Sequence, residues 1–132
     1  MKKSVQTNKA PKAIGPYSQA IINGNLVFTS GQIHLAVDGK LIEGSIEEQT
    51  HQIMSNLKGV LNSADVSFKD VVKTTIYVVN MSDYAKVNKI YGSYFTPPYP
   101  ARETVCVKEL PLNAKIEISM IAVKSNTTTT PK

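Results

Sequence analysis

The 132-residue sequence predicts an α+β fold in which two helices cover one face of a mixed β-sheet. Three observations support this class. The predicted elements follow the order hairpin, helix, strand, helix, strand, strand, and helices occur at only two places. The last predicted strand, residues 115–123, is apolar at both alternating positions. A strand that is apolar on both faces is buried on both, which favours an oligomer.

The first half of the chain is predicted to contain a hairpin and a long helix. The first ten or so residues are polar, lysine-rich and predicted to be loosely held. The dipeptide Asn23-Gly24 is a strong hairpin signal, followed by a strand over residues 25–33 that ends in a Ser-Gly break. Ser45 begins the helix, because Glu48 completes a capping box. The apolar stripe of this helix is Ile46, Ile53, Leu57, Val60, Leu61 and Ala64.

The second half is predicted to add a strand, a second helix and two further strands. Residues 71–79 are β-branched and aromatic, which predicts a strand. Ser82 or Asp83 caps the second helix. The stripe of this helix is Tyr84, Val87, Tyr91, Tyr94 and Phe95. Residues 102–107 and 115–123 both alternate and are joined through Pro111, so they are predicted to form a terminal pair of strands.

Length and composition exclude several classes of protein. We expect a single domain over residues 1–124 and a flexible tail over 125–132. Cys106 is the only cysteine, so an intrachain disulfide is impossible and a reducing compartment is expected. No apolar run suits a membrane helix or a signal peptide, which predicts a cytoplasmic protein without a membrane partner. Zinc, phosphate-loop and dinucleotide motifs are absent. The net charge of +5 comes from dispersed lysines, so nucleic acid is an unlikely partner.

A lone arginine is the most informative compositional feature. Of the 15 basic residues, 14 are lysine and one is Arg102. Arginine is hard to replace where a planar, bidentate grip on a carboxylate or phosphate is needed. The alternative is a surface arginine without a function, and composition alone leaves both readings open. If the last two strands pair, Arg102 and Glu117 could meet on one side of the sheet, either as an ordinary ion pair or as a site.

Five segments in the same order resemble the Rid family of reactive-intermediate deaminases, formerly described as translation-inhibitor or purine-regulator proteins. They are AIGPYSQA (13–20), FTSGQI (28–33), VKTTIYV (72–78), PAR (100–102) and KIEISMIA (115–122). The resemblance implies a chorismate-mutase-like sandwich assembled as a homotrimer with pockets between subunits. It also implies hydrolysis of 2-imino acids, such as 2-iminobutanoate and 2-iminopropanoate, to 2-oxo acids and ammonia. No metal or organic cofactor is implied.

The resemblance also assigns roles to individual residues. Arg102 aligns with the family's substrate-binding arginine, which suits the carboxylate of an imino acid. The backbone N–H of Gly31 and the hydroxyl of Ser30 are expected to contact the ligand. Tyr17 is expected to donate to the ligand or to close the pocket rim. Glu117 is expected to position the attacking water.

Two further positions are less settled. Asn88 resembles a recurrent family asparagine and is assigned to support of the pocket or interface. Many family members carry a cysteine two residues after the arginine, whereas this chain has Thr104, which offers a hydroxyl but no thiolate. This departure keeps a non-catalytic regulator that binds 2-oxo or imino acids open as an alternative. Ribonuclease or translation-inhibitor activity is a weaker alternative.

Overall fold

The structure is a computed structural model that describes residues 1–125. Within this range it confirms a mixed sheet with two α-helices. The strands are β1 Lys3–Val5, β2 Ala20–Asn23, β3 Leu26–Thr29, β4 Gln32–Ile33, β5 Val71–Val78, β6 Ala101–Cys106 and β7 Ile116–Val123. The helices are α1 Ile46–Ser63 and α2 Tyr84–Gly92.

The sheet has the strand order β1-β2-β3-β7-β5-β6, and β4 pairs with β7 beside this path. Only β5 and β6 run parallel. The buried side chains of β7 are Ile116, Ile118, Met120 and Ala122, which alternate with partly exposed ones. Both helices pack on this buried face: α1 contacts β7, and Tyr91 of α2 donates a hydrogen bond to Thr74 of β5. We call this face the helix face and the other the open face.

The predicted start of α1 is confirmed by its hydrogen bonds. The backbone N–H of Ser45 donates to the Glu48 carboxylate at 2.7 Å, and the Glu48 N–H donates to the Ser45 hydroxyl at 3.1 Å. This reciprocal pair satisfies two donors that a helix N-terminus otherwise leaves free. The predicted hairpin is also confirmed, because β2 and β3 pair through a turn in which Gly24 has φ +64°. Glycine adopts that left-handed conformation without steric cost.

The expectation that the N-terminal residues are loosely held was wrong. Residues Lys3–Val5 form β1 and pair with β2, and Val5 and Ala10 are buried in the core. The side-chain amide of Gln19 binds this segment by accepting from the N–H of Thr7 at 2.7 Å and donating to the carbonyl of Pro11 at 2.8 Å. A strand of three residues is too short to produce a readable alternation, so only tertiary pairing identifies it.

The predicted terminal pair of strands was also wrong. β5 lies between β6 and β7, pairing in parallel with β6 and antiparallel with β7. The α2 crossover from β5 returns β6 in the same direction as β5, and β7 then enters between β5 and β3. The predicted strand over residues 25–33 is divided into β3 and β4 at the Ser-Gly break. The error concerns which strands pair, not where they lie in the sequence. The predicted positions of β5, β6 and β7 agree with the structure to within two residues.

The second helix begins at one of the two predicted N-cap residues but ends earlier than predicted. Asp83 occupies the N-cap position without a side-chain cap hydrogen bond, and Asn80 instead caps a preceding 3-10 turn by accepting from the Ser82 N–H at 3.0 Å. α2 ends at Gly92, so Tyr94 and Phe95 follow the helix, although both still pack against the core. The predicted tail over residues 125–132 lies outside the described residues except for Ser125. Neither α-helix in residues 1–125 is long and apolar enough to cross a membrane.

His34 is a buried polar side chain that joins two distant segments. Its Nδ1 lies 2.8 Å from the carbonyl oxygen of Ile42, and its Nε2 lies 3.0 Å from the backbone nitrogen of Lys115. A carbonyl accepts and an N–H donates, so the ring is neutral with its proton on Nδ1. Burial lowers the pKa of His34 from its ordinary value, and the positive charge of Lys115 lowers it further.

We predict that His34 makes folding stability depend on pH. Because its pKa is lowered in the folded state, its contribution is complete above the unfolded pKa of about 6.5 and is lost as the pH falls below it. Protonation leaves the Lys115 N–H without an acceptor, at a cost of about 1–3 kcal/mol. Urea unfolding at pH 7.5 and 5.5 should show a larger loss of unfolding free energy for the parent than for His34→Gln. Equal losses in both proteins would contradict the prediction.

Candidate functional site: an uncompensated arginine and a carboxylate pocket

The side chain of Arg102 contacts one face of α2. Tyr84, Asn88 and Tyr91 recur at positions i, i+4 and i+7 of that helix, so their side chains line one face of it. Arg102 pairs in register with Thr74 of β5, which places it on the helix face of the sheet. Because β6 is the edge strand, this residue lies at the border of the sheet beside α2.

The guanidinium of Arg102 is held by neutral groups. Its NH1 donates to the amide oxygen of Asn88 at 2.8 Å, and its NH2 donates to the hydroxyl of Tyr84 at 2.7 Å. Its central carbon lies 5.6 Å from the centre of the Tyr84 ring and 5.2 Å from that of Tyr91. Cation–π contacts and hydrogen bonds of this kind orient a guanidinium without cancelling its charge.

No acidic group pairs with Arg102 within residues 1–125. The ion pairs of this part of the chain are Lys73–Glu103 at 3.2 Å and Lys124–Asp65 at 3.9 Å. Two of the five N–H donors of the guanidinium are used, and three are left for a ligand. A half-buried arginine with aromatic and amide partners is therefore prepared to bind an anion, and a planar carboxylate matches its geometry.

Thr104 lies on the same face of the sheet as Arg102, not on that of Glu117. It lies two residues further along β6, so its side chain is on the helix face as well. Its hydroxyl oxygen is buried and has no hydrogen-bond partner within the described residues. Buried hydroxyls normally have a partner, so this unpaired group marks a position where a water or ligand atom would be stabilised. We refer to Tyr84, Asn88, Tyr91, Arg102 and Thr104 together as the Arg102 group.

Glu117 lies in a different place, in a cavity of about 560 Å³. We call this cavity the Glu117 pocket. The residues that line it are Pro11, Lys12, Ile14, Tyr17, Gln19, Ser30, Gly31, Gln32, Ile33, Leu35, Pro111, Leu112 and Glu117. Three residues expected at the site, Tyr17, Ser30 and Gly31, are therefore brought together with Glu117. Arg102, Asn88 and Thr104 are not among the lining residues.

Gly31 lies against the Glu117 carboxylate. A side-chain carbon at residue 31 would overlap the carboxylate, so any other residue there would force the Glu117 side chain to move. The break between β3 and β4 leaves the Gly31 N–H without a backbone or side-chain acceptor in the described residues. The Gly31 N–H is expected to approach a ligand, and the structure places residue 31 next to the Glu117 carboxylate. Burial raises the pKa of Glu117 above its ordinary value, which makes the carboxylate a stronger base.

Tyr17 and Ser30 line the pocket, and their hydroxyl groups differ in the hydrogen bonds that they can offer a ligand. Tyr17 is 54% exposed, and its hydroxyl accepts from the Ile14 N–H at 3.2 Å, so its own proton is available to a ligand. The Ser30 hydroxyl donates to the carbonyl of Ser18. Ser30 can therefore accept a hydrogen bond from a ligand, but its proton is already engaged.

Arg102 and Glu117 lie on opposite faces of the sheet in one chain. Glu117 pairs in register with Tyr77, whereas Arg102 pairs with Thr74, and residues three apart along a strand point to opposite faces. The idea that the two residues meet across paired strands was therefore wrong for a single chain. The described residues form two separate groups, each carrying part of the predicted site. Residues 1–125 contain no cluster of three histidine, cysteine, aspartate or glutamate side chains able to hold a metal ion.

Comparison with known proteins identifies the family. A family model described as endoribonuclease L-PSP matches residues 7–124. A relative from Arabidopsis thaliana, named Reactive Intermediate Deaminase A, chloroplastic, is 49% identical over 122 residues. The match covers 92% of this chain and 65% of the relative, so the chain spans about two-thirds of that protein's length. This chain belongs to the Rid, or endoribonuclease L-PSP, family.

Other Rid proteins match over nearly their whole length. A mouse protein named 2-iminobutanoate/2-iminopropanoate deaminase is 41% identical over 125 residues, which cover 94% of this chain and 93% of the relative. The crystal structure of TdcF from E. coli, solved with bound serine, superposes with a TM-score of 0.89 at 36% identity. That match covers 93% of this chain and 99% of TdcF.

Sequence reasoning missed part of the Arg102 group. Tyr84 and Tyr91 were interpreted as an apolar stripe, because a tyrosine at helical spacing gives the same signal whether it packs in the core or stacks on a cation. Asn88 was assigned to support, and the structure shows that it contacts Arg102 directly. The i, i+4, i+7 spacing of these three residues was readable, but their common target lies on a distant strand.

We predict that the lack of an acidic partner is essential for binding at Arg102. In Asn88→Asp, a carboxylate would replace the amide oxygen beside NH1 and neutralise the guanidinium, so affinity for a small carboxylate such as 2-oxobutanoate should fall about tenfold or more. Asn88→Ala removes the same hydrogen bond without adding a charge and should bind more tightly than Asn88→Asp. Calorimetric titration measures both. Equal affinity of the two variants would show that the charge of Arg102 is not what the ligand recognises.

Proposed function

We propose that the protein is a 2-iminobutanoate/2-iminopropanoate deaminase that hydrolyses reactive imine or enamine intermediates to 2-oxo acids and ammonia. The observation that carries the proposal is the half-buried Arg102, which is oriented by neutral groups and has no acidic partner within residues 1–125. An α-imino acid has the planar carboxylate that such a group binds. The names of the Arabidopsis and mouse relatives support the same class of reaction. TdcF was solved with serine, which has an α-carboxylate too.

The site that we propose lies between two copies of the chain in a homotrimer. Arg102 and Glu117 lie on opposite faces of the sheet, so one chain cannot bring them to the same ligand. The open face exposes large apolar side chains that an isolated subunit would leave in water. They are Leu26, Phe28 and Val105, with half-buried Tyr77, Ile121 and Val123. Covering this face with neighbouring subunits would bring the Arg102 group of one subunit to the Glu117 pocket of the next.

The proposed mechanism uses the two groups in sequence. Arg102 binds the carboxylate of the protonated imine and holds its C=N carbon at the pocket. Glu117 accepts a proton from a water molecule as the water oxygen adds to that carbon, and the raised pKa of Glu117 favours this transfer. Glu117 gives this proton to the nitrogen and accepts the hydroxyl proton as the C=O bond forms and the C–N bond breaks. The 2-oxo acid leaves, and the released ammonia takes the proton from Glu117 and leaves as ammonium. The Gly31 N–H, the Tyr17 hydroxyl and the Thr104 hydroxyl are the remaining groups that contact ligand or water.

We predict that the protein shortens the lifetime of 2-iminobutanoate generated in situ by a threonine dehydratase. The measurement is the decay of the imine with and without the protein. Arg102→Lys keeps the charge but removes the bidentate grip, and Glu117→Gln keeps the size but removes the base, so each variant should lose most of the acceleration.

Mixing the two inactive variants tests where the site lies. If each site takes Arg102 from one subunit and Glu117 from another, re-assembly of an equal mixture restores about a quarter of the parental activity, because one interface in four receives both intact residues. If both residues came from the same chain, the mixture would stay inactive. Sedimentation of the parent protein as a trimer is the accompanying check on assembly.

We predict that the pH dependence of hydrolysis reports Glu117. The base is active when deprotonated, and its pKa is raised, so activity should fall with decreasing pH at a higher pH than for an ordinary carboxylate. The same limb should be absent from the residual activity of Glu117→Gln. If the activity of Glu117→Gln falls with decreasing pH over the same range as that of the parent, the fall is caused by a group other than Glu117. The profile is measured on the imine-decay rate, after correction for the pH dependence of the dehydratase.

The alternatives predict different results in these assays. A regulator that binds 2-oxo or imino acids without turnover would bind 2-oxobutanoate through Arg102 and leave the imine lifetime unchanged. A ribonuclease would cleave RNA after rigorous purification, with binding that weakens at high salt. The cytoplasmic location stays a prediction based on the sequence.

A further inference from the structure

Tyr84 makes the shortest contact with the Arg102 guanidinium. Its hydroxyl oxygen accepts from NH2 at 2.7 Å, and its ring lies against the guanidinium. A phenol hydroxyl can accept and donate at the same time. Its own proton has no acceptor among the hydrogen bonds of the described residues, so Tyr84 presents a donor next to the Arg102 cation.

The position of Tyr84 is set by the start of α2. It is the first residue of that helix, directly after the 3-10 turn Met81–Asp83 that Asn80 caps. Asn88 follows one turn later and contacts NH1, so two points of α2 hold two nitrogens of the guanidinium. A guanidinium held at two points loses less freedom when it binds a ligand.

We propose that Tyr84 positions Arg102 and that its hydroxyl is a second donor to the substrate carboxylate. The proposal rests on the deaminase function proposed above. A carboxylate bound to the free N–H groups of Arg102 lies next to the Tyr84 oxygen, so one carboxylate oxygen can accept from NH2 and from the phenol. The binding site for the carboxylate then consists of the Arg102 cation and the neutral Tyr84 hydroxyl, and both belong to the Arg102 group.

The test is Tyr84→Phe, which keeps the ring and removes only the hydroxyl. Loss of one hydrogen bond to a charged group should raise KM for the imine, and Kd for 2-oxobutanoate, about tenfold, while kcat changes little. Tyr94→Phe is the matched control. Its hydroxyl lies 2.6 Å from Nδ1 of His51, away from the Arg102 group, so its KM and Kd should equal those of the parent.

A double variant separates positioning from a general structural effect. In the Arg102→Lys background there is no guanidinium to orient and only the hydrogen bond from the phenol to the carboxylate is left to lose, so Tyr84→Phe should raise the Kd for 2-oxobutanoate by clearly less than about tenfold. A full tenfold effect there would show that Tyr84 acts without Arg102 and would overturn the positioning role. Unchanged KM and Kd in Tyr84→Phe itself would overturn the whole proposal.

These outcomes are distinct from failure of the proposed function. If the parent binds 2-oxobutanoate but does not accelerate imine hydrolysis, the deaminase proposal fails while the Kd comparison still decides the role of Tyr84. If the parent is an active deaminase and Tyr84→Phe has parental KM and Kd, only the role of Tyr84 fails. Circular dichroism and melting temperature confirm that each variant is folded.

Discussion

The organisation of the proposed site depends on one positive charge, that of Arg102, which has no acidic partner within residues 1–125. Burying part of a guanidinium costs free energy unless its donors are satisfied, and most proteins satisfy them with a carboxylate. Here Tyr84 and Asn88 satisfy two donors with neutral oxygens, and aromatic rings flank the cation. The charge is therefore oriented but not cancelled, and we propose that a ligand carboxylate is its partner. The helix α2 and the edge strand β6 position that cation, and Thr104 lies on the same face of β6 as Arg102.

The sheet separates the cation from the base. Glu117 lies beside Gly31, where burial raises its pKa, and the absence of a side chain at Gly31 makes room for its carboxylate. A positive charge next to this carboxylate would lower its pKa and weaken it as a base. Arg102 and Glu117 lie on opposite faces of one sheet, so the two groups stay apart within a single chain. In the proposed trimer, the apolar open face would provide the contact that joins them.

Local sequence patterns predicted most of the secondary structure and missed pairing that depends on distant residues. The capping box of Ser45 and Glu48 and the Asn23-Gly24 turn are determined by residues a few positions apart, and both were predicted. The strand at Lys3–Val5 was missed because three residues cannot show a period. The pairing of the last strands was wrong because alternation defines the faces of a strand but does not identify its neighbours.

The sequence by itself predicted which groups would carry the chemistry. A single arginine, a glycine after Ser30 and a glutamate in the last strand were assigned their roles through the resemblance to the Rid family. Only the tertiary structure decided where these groups lie relative to one another. Arg102 and Glu117 lie on opposite faces because they pair with residues of β5 that are three positions apart. Tyr84 contacts the guanidinium because α2 lies beside β6. Such contacts join residues far apart in the chain, and no local pattern encodes them.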